Sequence, residues 1–213
     1  MNACIISRIE DLDKLAKCHK KAFPSALASM QGKRFTSKML EWYIVSERGI
    51  LFHIEEQGEI VGYCGGIIRK KAGFPGAFTS ITQYAYSEFV KAFLRKPWLV
   101  FHHDNRNKRE AIMRNLKLRL GLKKAPVNLP EAKHTEFKPS WGLVVIGVIP
   151  EMQGKGYGSL LIKEFEKLAK LDGVDLVGLS VKASNIQAIK SYKRNGWIEE
   201  NKENNSLSMY KKI

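Results

Sequence analysis

The sequence predicts an α/β fold of three layers, with a mixed sheet of six or seven strands and helices on both faces. Three observations predict it. Apolar or branched runs of strand length recur at Ala3–Ser7, Ile50–Glu55, Ile60–Arg69, Leu143–Val148, Leu176–Lys182 and Ser206–Lys211, and Trp197 opens a further short one. Segments with helical spacing of apolar residues lie between them, Leu12 to Phe23 and Ser159 to Leu171 being the clearest. The 213 residues are 44% hydrophobic and 10% aromatic, which supplies a sizeable core.

The elements follow in order. After the strand at Ala3–Ser7, Asp11 and Asp13 sit where acidic residues favour a helix start. Leu12, Leu15, Ala16, His19, Ala22 and Phe23 then share one face, and Pro24 ends the helix. His19 falls on the apolar side and reads as a packed core histidine rather than a catalytic one. Ser25–Glu47 carries Phe35, Met39, Leu40, Trp42, Tyr43 and Val45 behind a Thr36-Ser37 start, which predicts a second helix. Ile50–Glu55 and Ile60–Arg69 form a hairpin around Gln57-Gly58. Gly65 and Gly66 inside the second strand indicate either a bulge facing a ligand or tight strand packing. Cys64 beside them reads as structural, because no partner histidine is implied by spacing.

A basic segment follows, Ala72 to Lys138, with thirteen Lys or Arg against five Asp or Glu. Within it Gln83–Leu94 reads as an aromatic-rich helix and Ala111–Leu120 as a basic one. The run His102-His-Asp-Asn-Arg-Asn-Lys-Arg109 raises metal and nucleic-acid readings. Adjacent histidines point apart on a regular element and have no spaced third ligand, so no metal site is expected. Interleaved aromatics and arginines are compatible with RNA contact, yet no RNA-binding signature accompanies them, and a solvated basic face or a grip on a phosphorylated small molecule is the stronger reading. After Leu143–Val148, the helix Ser159–Leu171 buries Leu160, Leu161, Phe165, Leu168 and Ala169, and Gly173 stops it. Asn185 is a good N-cap for a last helix that places Ala188 and Tyr192 on one face. Ser206–Lys211 is the final strand, with the polar run Glu199–Asn205 as its turn.

The chemistry concentrates in Val148-Ile-Pro-Glu-Met-Gln-Gly-Lys-Gly-Tyr-Gly158. A strand gives way to a glycine-rich turn and then to a helix. Without Cβ atoms at Gly154, Gly156 and Gly158 the backbone can approach an anion closely, and the free N–H groups of the helix start favour one, so a pyrophosphate fits. Val-x-Pro followed by Gln-x-x-Gly-x-Gly (Gln153, Gly156, Gly158) resembles the acetyl-CoA signature of the GCN5-related N-acetyltransferase (GNAT) superfamily. Asn185 to Trp197 is similar to the helix and strand that follow it there. The resemblance is specific from Trp141 to Trp197, weaker from Asn2 to Arg69, and lapses in between.

That resemblance implies an acyl-CoA N-acyltransferase-like sheet whose central strands splay around acetyl-CoA. Backbone groups of Ile146 and Val148 then meet the pantetheine arm, and those of Gln153, Gly154, Lys155, Gly156, Tyr157, Gly158 and Ser159 hold the pyrophosphate. Asn185 borders the site, and Tyr192 is the expected acid for the leaving thiolate. The organisation expected is one GNAT-like domain over 1–213, with core segments 1–71 and 139–213 and a basic helical insertion at 72–138. The activity implied is acetyl transfer from acetyl-CoA to a primary amine of a small molecule, a phosphorylated or nucleotide-linked amino sugar among the candidates. Two other readings stand beside it: acetylation of a protein amine such as one on a ribosomal protein, and a catalytically silent acyl-CoA-binding module that binds RNA. No general base is evident, since Leu143–Val148 holds no acidic residue; His53, Glu55, His134 and Glu136 qualify only as titratable groups near strand ends.

Composition narrows the setting. A formal charge of +15 and a pI near 9.7 attract polyanions, whether nucleic acid, anionic lipid or phosphorylated molecules. Cys4, Cys18 and Cys64 form an odd, scattered set with no Cys-x-x-Cys pair, which argues for a reducing compartment without a disulfide framework or zinc site. No stretch reaches 18 uncharged apolar residues, so neither a signal peptide nor a membrane span is expected, and the location expected is cytoplasmic.

Overall fold

The computed structural model describes residues 3–71, 76–102, 138–203 and 205–213. Among them seven strands form one sheet in the order β1-β2-β3-β4-β5-β7-β6. The strands are β1 (Ile5–Ile6), β2 (Gly49–Glu56), β3 (Glu59–Arg69), β4 (Ser140–Val148), β5 (Leu176–Lys182), β6 (Ile198–Glu203) and β7 (Ser206–Lys212). Every pairing is antiparallel except β4 with β5, which makes the sheet mixed, as expected. The β2–β3 hairpin turns at Gln57-Gly58 with both residues at positive φ, 52° and 81°, the backbone twist that suits a two-residue hairpin.

One face of the sheet carries α1 (Leu12–Ala22) and α3 (Lys33–Val45); the other carries α6 (Tyr157–Leu171), and the end of α7 (Ile186–Arg194) is bonded to α6 through Asn195 and Ser159. Neighbouring glycines of β3 show both layers closing on the sheet. A Cβ on Gly65 would lie 3.4 Å from the Tyr43 ring of α3, and one on Gly66 only 2.5 Å from the Phe165 ring of α6. These glycines therefore serve close packing, one of the two readings the sequence left open. The bulge lies opposite them: Gly65 pairs with Val145 and Gly66 with Leu143, so Val144 of β4 is the extra residue.

Three boundaries differ from expectation. The helix expected over Ser25–Glu47 is two, α2 (Leu27–Gln31) and α3, separated by Gly32 at φ 102°, so α3 begins at Lys33 instead of Thr36. The aromatic segment Gln83–Leu94 is also split, into α4 (Ala77–Tyr84) and α5 (Tyr86–Arg95) around the fully buried Ala85. The polar run after Trp197 is not a turn, because Ile198–Glu203 is strand β6, exposed along its whole length and held by its ladder to β7. An edge strand can be polar on both sides, so its pattern carries no alternation to read. The predicted helix Ala111–Leu120 lies outside the described residues, as do His103, His134 and Glu136.

Asp172 accepts from the Trp141 indole at 3.0 Å and pairs with Lys70 at 2.6 Å, fastening the end of α6 to β4 and to the end of β3. Tyr84 donates to Glu41 at 2.6 Å, and Lys38 joins the same carboxylate at 2.8 Å, which ties α4 onto α3. Replacing Gly66 with alanine should overpack the sheet against Phe165 and lower stability by about 1–3 kcal/mol. A urea titration should show a lower midpoint with unchanged slope; an unshifted midpoint would mean that the Phe165 ring moves aside at no cost.

Candidate active site

The sheet opens between β4 and β5. The two pair only from Trp141 to Leu143 and from Val177 to Leu179, although β4 runs on to Val148 and β5 to Lys182. Ile149 donates to the Val61 carbonyl of β3 at 2.9 Å. Because successive residues of a strand present their N–H and C=O groups to opposite sides, Ile146 and Val148 present theirs to the side where β5 has departed. The Val148 carbonyl is taken by Gln153 Nε2 at 3.0 Å, so the glutamine braces the turn against the strand. The edge left to a ligand is Ile146 with the N–H of Val148.

The turn itself is built as the glycines require. Gly154 and Gly156 take φ of 77° and 89°, and Gly156 caps α6. Gly158 lies inside the first turn of α6, where an added Cβ would meet nothing within 4 Å. The open space beside it continues into a cleft of about 190 Å³ reached also by Ile146, Val148, Gln153, Asn185 and Tyr192. Asn185 accepts from the Ala188 N–H at 3.2 Å, the expected N-cap. Of the other residues in the turn, Lys155 rests its amino group 3.5 Å from the Met152 sulfur, and Ser159 accepts from Asn195 at 3.1 Å. Tyr157 turns its hydroxyl to Glu56 of β2, leaving only its backbone for the turn.

Tyr192 is 6% exposed, lines the cleft, and packs at 5.8 Å on Trp197. Burial, with a smaller contribution from Cys64, pushes its phenol above the usual range and keeps the hydroxyl protonated. Its helix is anchored by a shared carboxylate. Glu166 of α6 accepts from the Trp197 indole at 2.7 Å and from Lys211 of β7 at 2.6 Å, while Lys211 also reaches the Asn195 carbonyl at 2.8 Å.

A larger volume of the cleft, about 560 Å³, runs along Val144 to Ile146 on one side and Leu179 to Lys182 on the other, with Phe23, Tyr192 and His19 at its walls. His19 is 4% exposed. It is buried as the helical pattern implied, yet it also borders this cavity, which spacing along α1 could not show. Its Nδ1 lies 2.5 Å from the hydroxyl of Tyr63, which is fully buried and has no other hydrogen-bond partner among the described residues. A buried O–H without an acceptor costs about 1–3 kcal/mol, so Tyr63 donates to Nδ1 and the ring proton sits on Nε2. That Nε2–H has no partner.

Of the titratable residues named from sequence as bases, the two that are described, His53 and Glu55, are not brought here. His53 and Glu55 lie on β2, two strands from the cleft; His53 is bonded to Ser7 at 2.8 Å and Glu55 pairs with Lys14 at 3.4 Å. Asp11, His53 and Glu55 place donor atoms within 4.8 Å of one another, but this cluster too is away from the cleft. His102 bonds the Ser25 carbonyl at 3.1 Å. Cys64 is fully buried and its thiol is pushed well up by desolvation, in keeping with a structural role.

Comparisons with known proteins agree with this fold. The model of the Acetyltransferase (GNAT) family matches residues 127–197, about a third of the chain. PaiA N-acetyltransferase from Thermoplasma acidophilum, in complex with coenzyme A, superposes with a TM-score of 0.56 at 14% identity over 100% of this chain and 99% of that one. The GNAT fold is present. The GNAT domain of S. lividans PAT gives 0.60 at 11% identity, covering 100% and 90%. The ribosomal-protein-alanine N-acetyltransferase from Brucella melitensis gives 0.55 at 15% identity, covering 99% of both chains. No match to a curated protein is found. Among the described residues no helix is long and apolar enough to cross a membrane.

His19 makes the site's burial measurable. Desolvation holds its pKa down to about 4, against about 6.5 in an unfolded chain. Below pH 6.5 the unfolded chain therefore binds more protons, so the stability present above that pH is lost as pH falls toward 4, by on the order of 3 kcal/mol in all. Urea denaturation of the wild type and of His19→Gln should show the difference between them shift by about 2–3 kcal/mol, against the wild type, from pH 7 to pH 4.5. A pH-independent difference would show that His19 titrates normally in the fold.

Proposed function

We propose that the protein transfers the acetyl group of acetyl-CoA to a primary amine of a small molecule, with the cosubstrate lying between β4 and β5. The observation that carries this reading is the backbone edge of β4, left unpaired beside a glycine-built helix start. Three features support a fit to CoA. Ile146 and Val148 offer cleft-facing backbone groups for the amides of a pantetheine arm. The N–H groups at the start of α6, from Gly154 to Ser159, suit a pyrophosphate, and Gly158 leaves room for one. The relative from Thermoplasma acidophilum is described as a coenzyme A complex, which supports the same reading here.

In the reaction the amine nitrogen forms a bond to the acetyl carbonyl carbon, and the carbon–sulfur bond breaks with its electron pair going to sulfur. A thiol has a pKa near 8.5 and a phenol near 10, so full transfer of the Tyr192 proton beforehand is uphill. Tyr192 acts as a hydrogen-bond donor that strengthens as charge collects on sulfur. The described residues lining these cavities include no Asp or Glu, and in this reading water takes the proton lost by the amine. Most of the surplus cations that favoured a phosphorylated acceptor fall within 103–137, outside the described residues, and that form of acceptor rests on composition alone.

Measuring CoA release against a panel of amines tests the activity. Gly158→Leu should weaken acetyl-CoA binding about tenfold or more without lowering Tm, since the chain itself has space there and leucine is the better helix former. Lys155→Ala should change affinity by less than roughly threefold, a flexible point charge adding little geometry. Equal losses by calorimetry would count against a backbone cradle. Tyr192→Phe should leave acetyl-CoA affinity intact and lower turnover about tenfold or more, at the cautious end of the effects of positioned acids. Wild-type turnover in that variant, measured where chemistry limits the rate, would return Tyr192 to a packing role.

A further inference from the structure

A second cavity, of about 280 Å³, adjoins the cleft on the α1 side of the sheet. His19, Val144 and Val145 border both spaces, so the two meet at the bulge of β4. Its far wall is apolar: Phe35 and Met39 from α3, Phe78 and Ile81 from α4, and Phe89 from α5. Four polar side chains also line the cavity, His19 at the junction and Gln31, Tyr43 and Thr82 beyond it, and Thr82 already donates to the Phe78 carbonyl at 2.7 Å. Gln31 is 8% exposed and both atoms of its amide lack a hydrogen-bond partner, as does His19 Nε2. Buried polar groups are ordinarily paired, and each one left unpaired costs about 1–3 kcal/mol. Three unpaired atoms on two residues around one cavity mark a place where a ligand completes the bonding.

The lining also says which ligand. No Lys, Arg, Asp or Glu borders this cavity among the described residues. A carboxylate or phosphate would enter without a counter-charge, at a large desolvation cost. The volume is just below the roughly 300–1,000 Å³ usual for small-molecule sites, which suits a group the size of an aromatic side chain rather than a nucleotide-linked sugar. Gln31 presents one acceptor and two N–H donors, and His19 one N–H donor.

Resting on the acetyl-transfer reading above, we propose that this cavity holds the amine acceptor, an amine borne on an apolar or aromatic tail that ends in an uncharged polar group, with Gln31 and His19 as its specificity-determining contacts. The amine lies at the junction beside Val144 and Val145, facing the cleft, and the tail points toward α4 and α5. A carboxamide or hydroxyl satisfies Gln31 and His19 together; an anion satisfies the donors alone and faces the Gln31 carbonyl.

Acetyl transfer to 2-phenylethylamine, 4-(2-aminoethyl)benzamide, 4-(2-aminoethyl)benzoate and glucosamine 6-phosphate tests this, read as kcat/KM for CoA release. The benzamide should exceed the nearly isosteric benzoate by about tenfold to a hundredfold, as expected where a buried pair is matched or left unpaired. Gln31→Leu should reduce the preference for benzamide over phenylethylamine by about tenfold or more, while calorimetric acetyl-CoA binding stays unchanged and Tm holds or rises, because no bond within the protein is lost. Preference for the benzoate or for glucosamine 6-phosphate, or an unaltered preference in Gln31→Leu, would overturn the proposal and leave acetyl transfer standing. Absence of turnover with every amine, despite acetyl-CoA binding, would overturn acetyl transfer and this proposal with it.

Discussion

The separation of β4 from β5 after three residue pairs is the constraint on which the rest of the site depends. Backbone N–H and C=O groups inside a protein are nearly always paired, so a central strand that loses its neighbour must find other partners. The bulge at Val144 supplies the change of direction, and the turn after Val148 supplies one partner through Gln153. The remaining groups, at Ile146 and Val148, are available to an extended molecule bearing amides. Other contacts hold the opening in place: Phe23 at the end of α1 sits so near Gly147 that an added Cβ would come within 2.6 Å of its ring. On the other face, the carboxylate of Glu166 gathers Trp197 and Lys211, fixing α7 and with it Tyr192.

Charge and recognition are divided within the molecule. The large positive surplus acts at long range, where it raises the local concentration of polyanions such as CoA. The cavities themselves are lined almost wholly by neutral groups, and there burial does the discriminating. It keeps Tyr192 and Tyr63 protonated and His19 neutral, all in the direction that leaves hydrogen-bond donors within or beside the cleft. A neutral imidazole fixed by a tyrosine hydroxyl is a poor base and a good donor.

How much of this was legible in the sequence depended on how local the cause was. The hairpin at Gln57-Gly58, the cap at Asn185, the stop at Gly173 and the glycine turn at the head of α6 each follow from the conformational needs of two or three adjacent residues. They were read with nearly correct bounds. The polar course of β6 beyond its expected start, the break at Gly32 and the break at Ala85 were missed because their cause lies elsewhere: a ladder to β7, the packing of α2 beside α3, and the burial of Ala85 between α4 and α5.

The candidate site divides along the same line. By itself the sequence determined the glycine turn at the head of a helix, the strand that precedes it and the tyrosine seven residues after an N-cap, since each is a matter of residue type at short spacing. Only the tertiary structure decided that Gln31 and His19, from two different helices, border one cavity with the bulge of β4, and that His53 and Glu55 stand two strands away. Spacing along a chain places side chains on a face; which faces meet, and which buried polar atoms are then left without partners, is settled by packing between segments far apart in the chain.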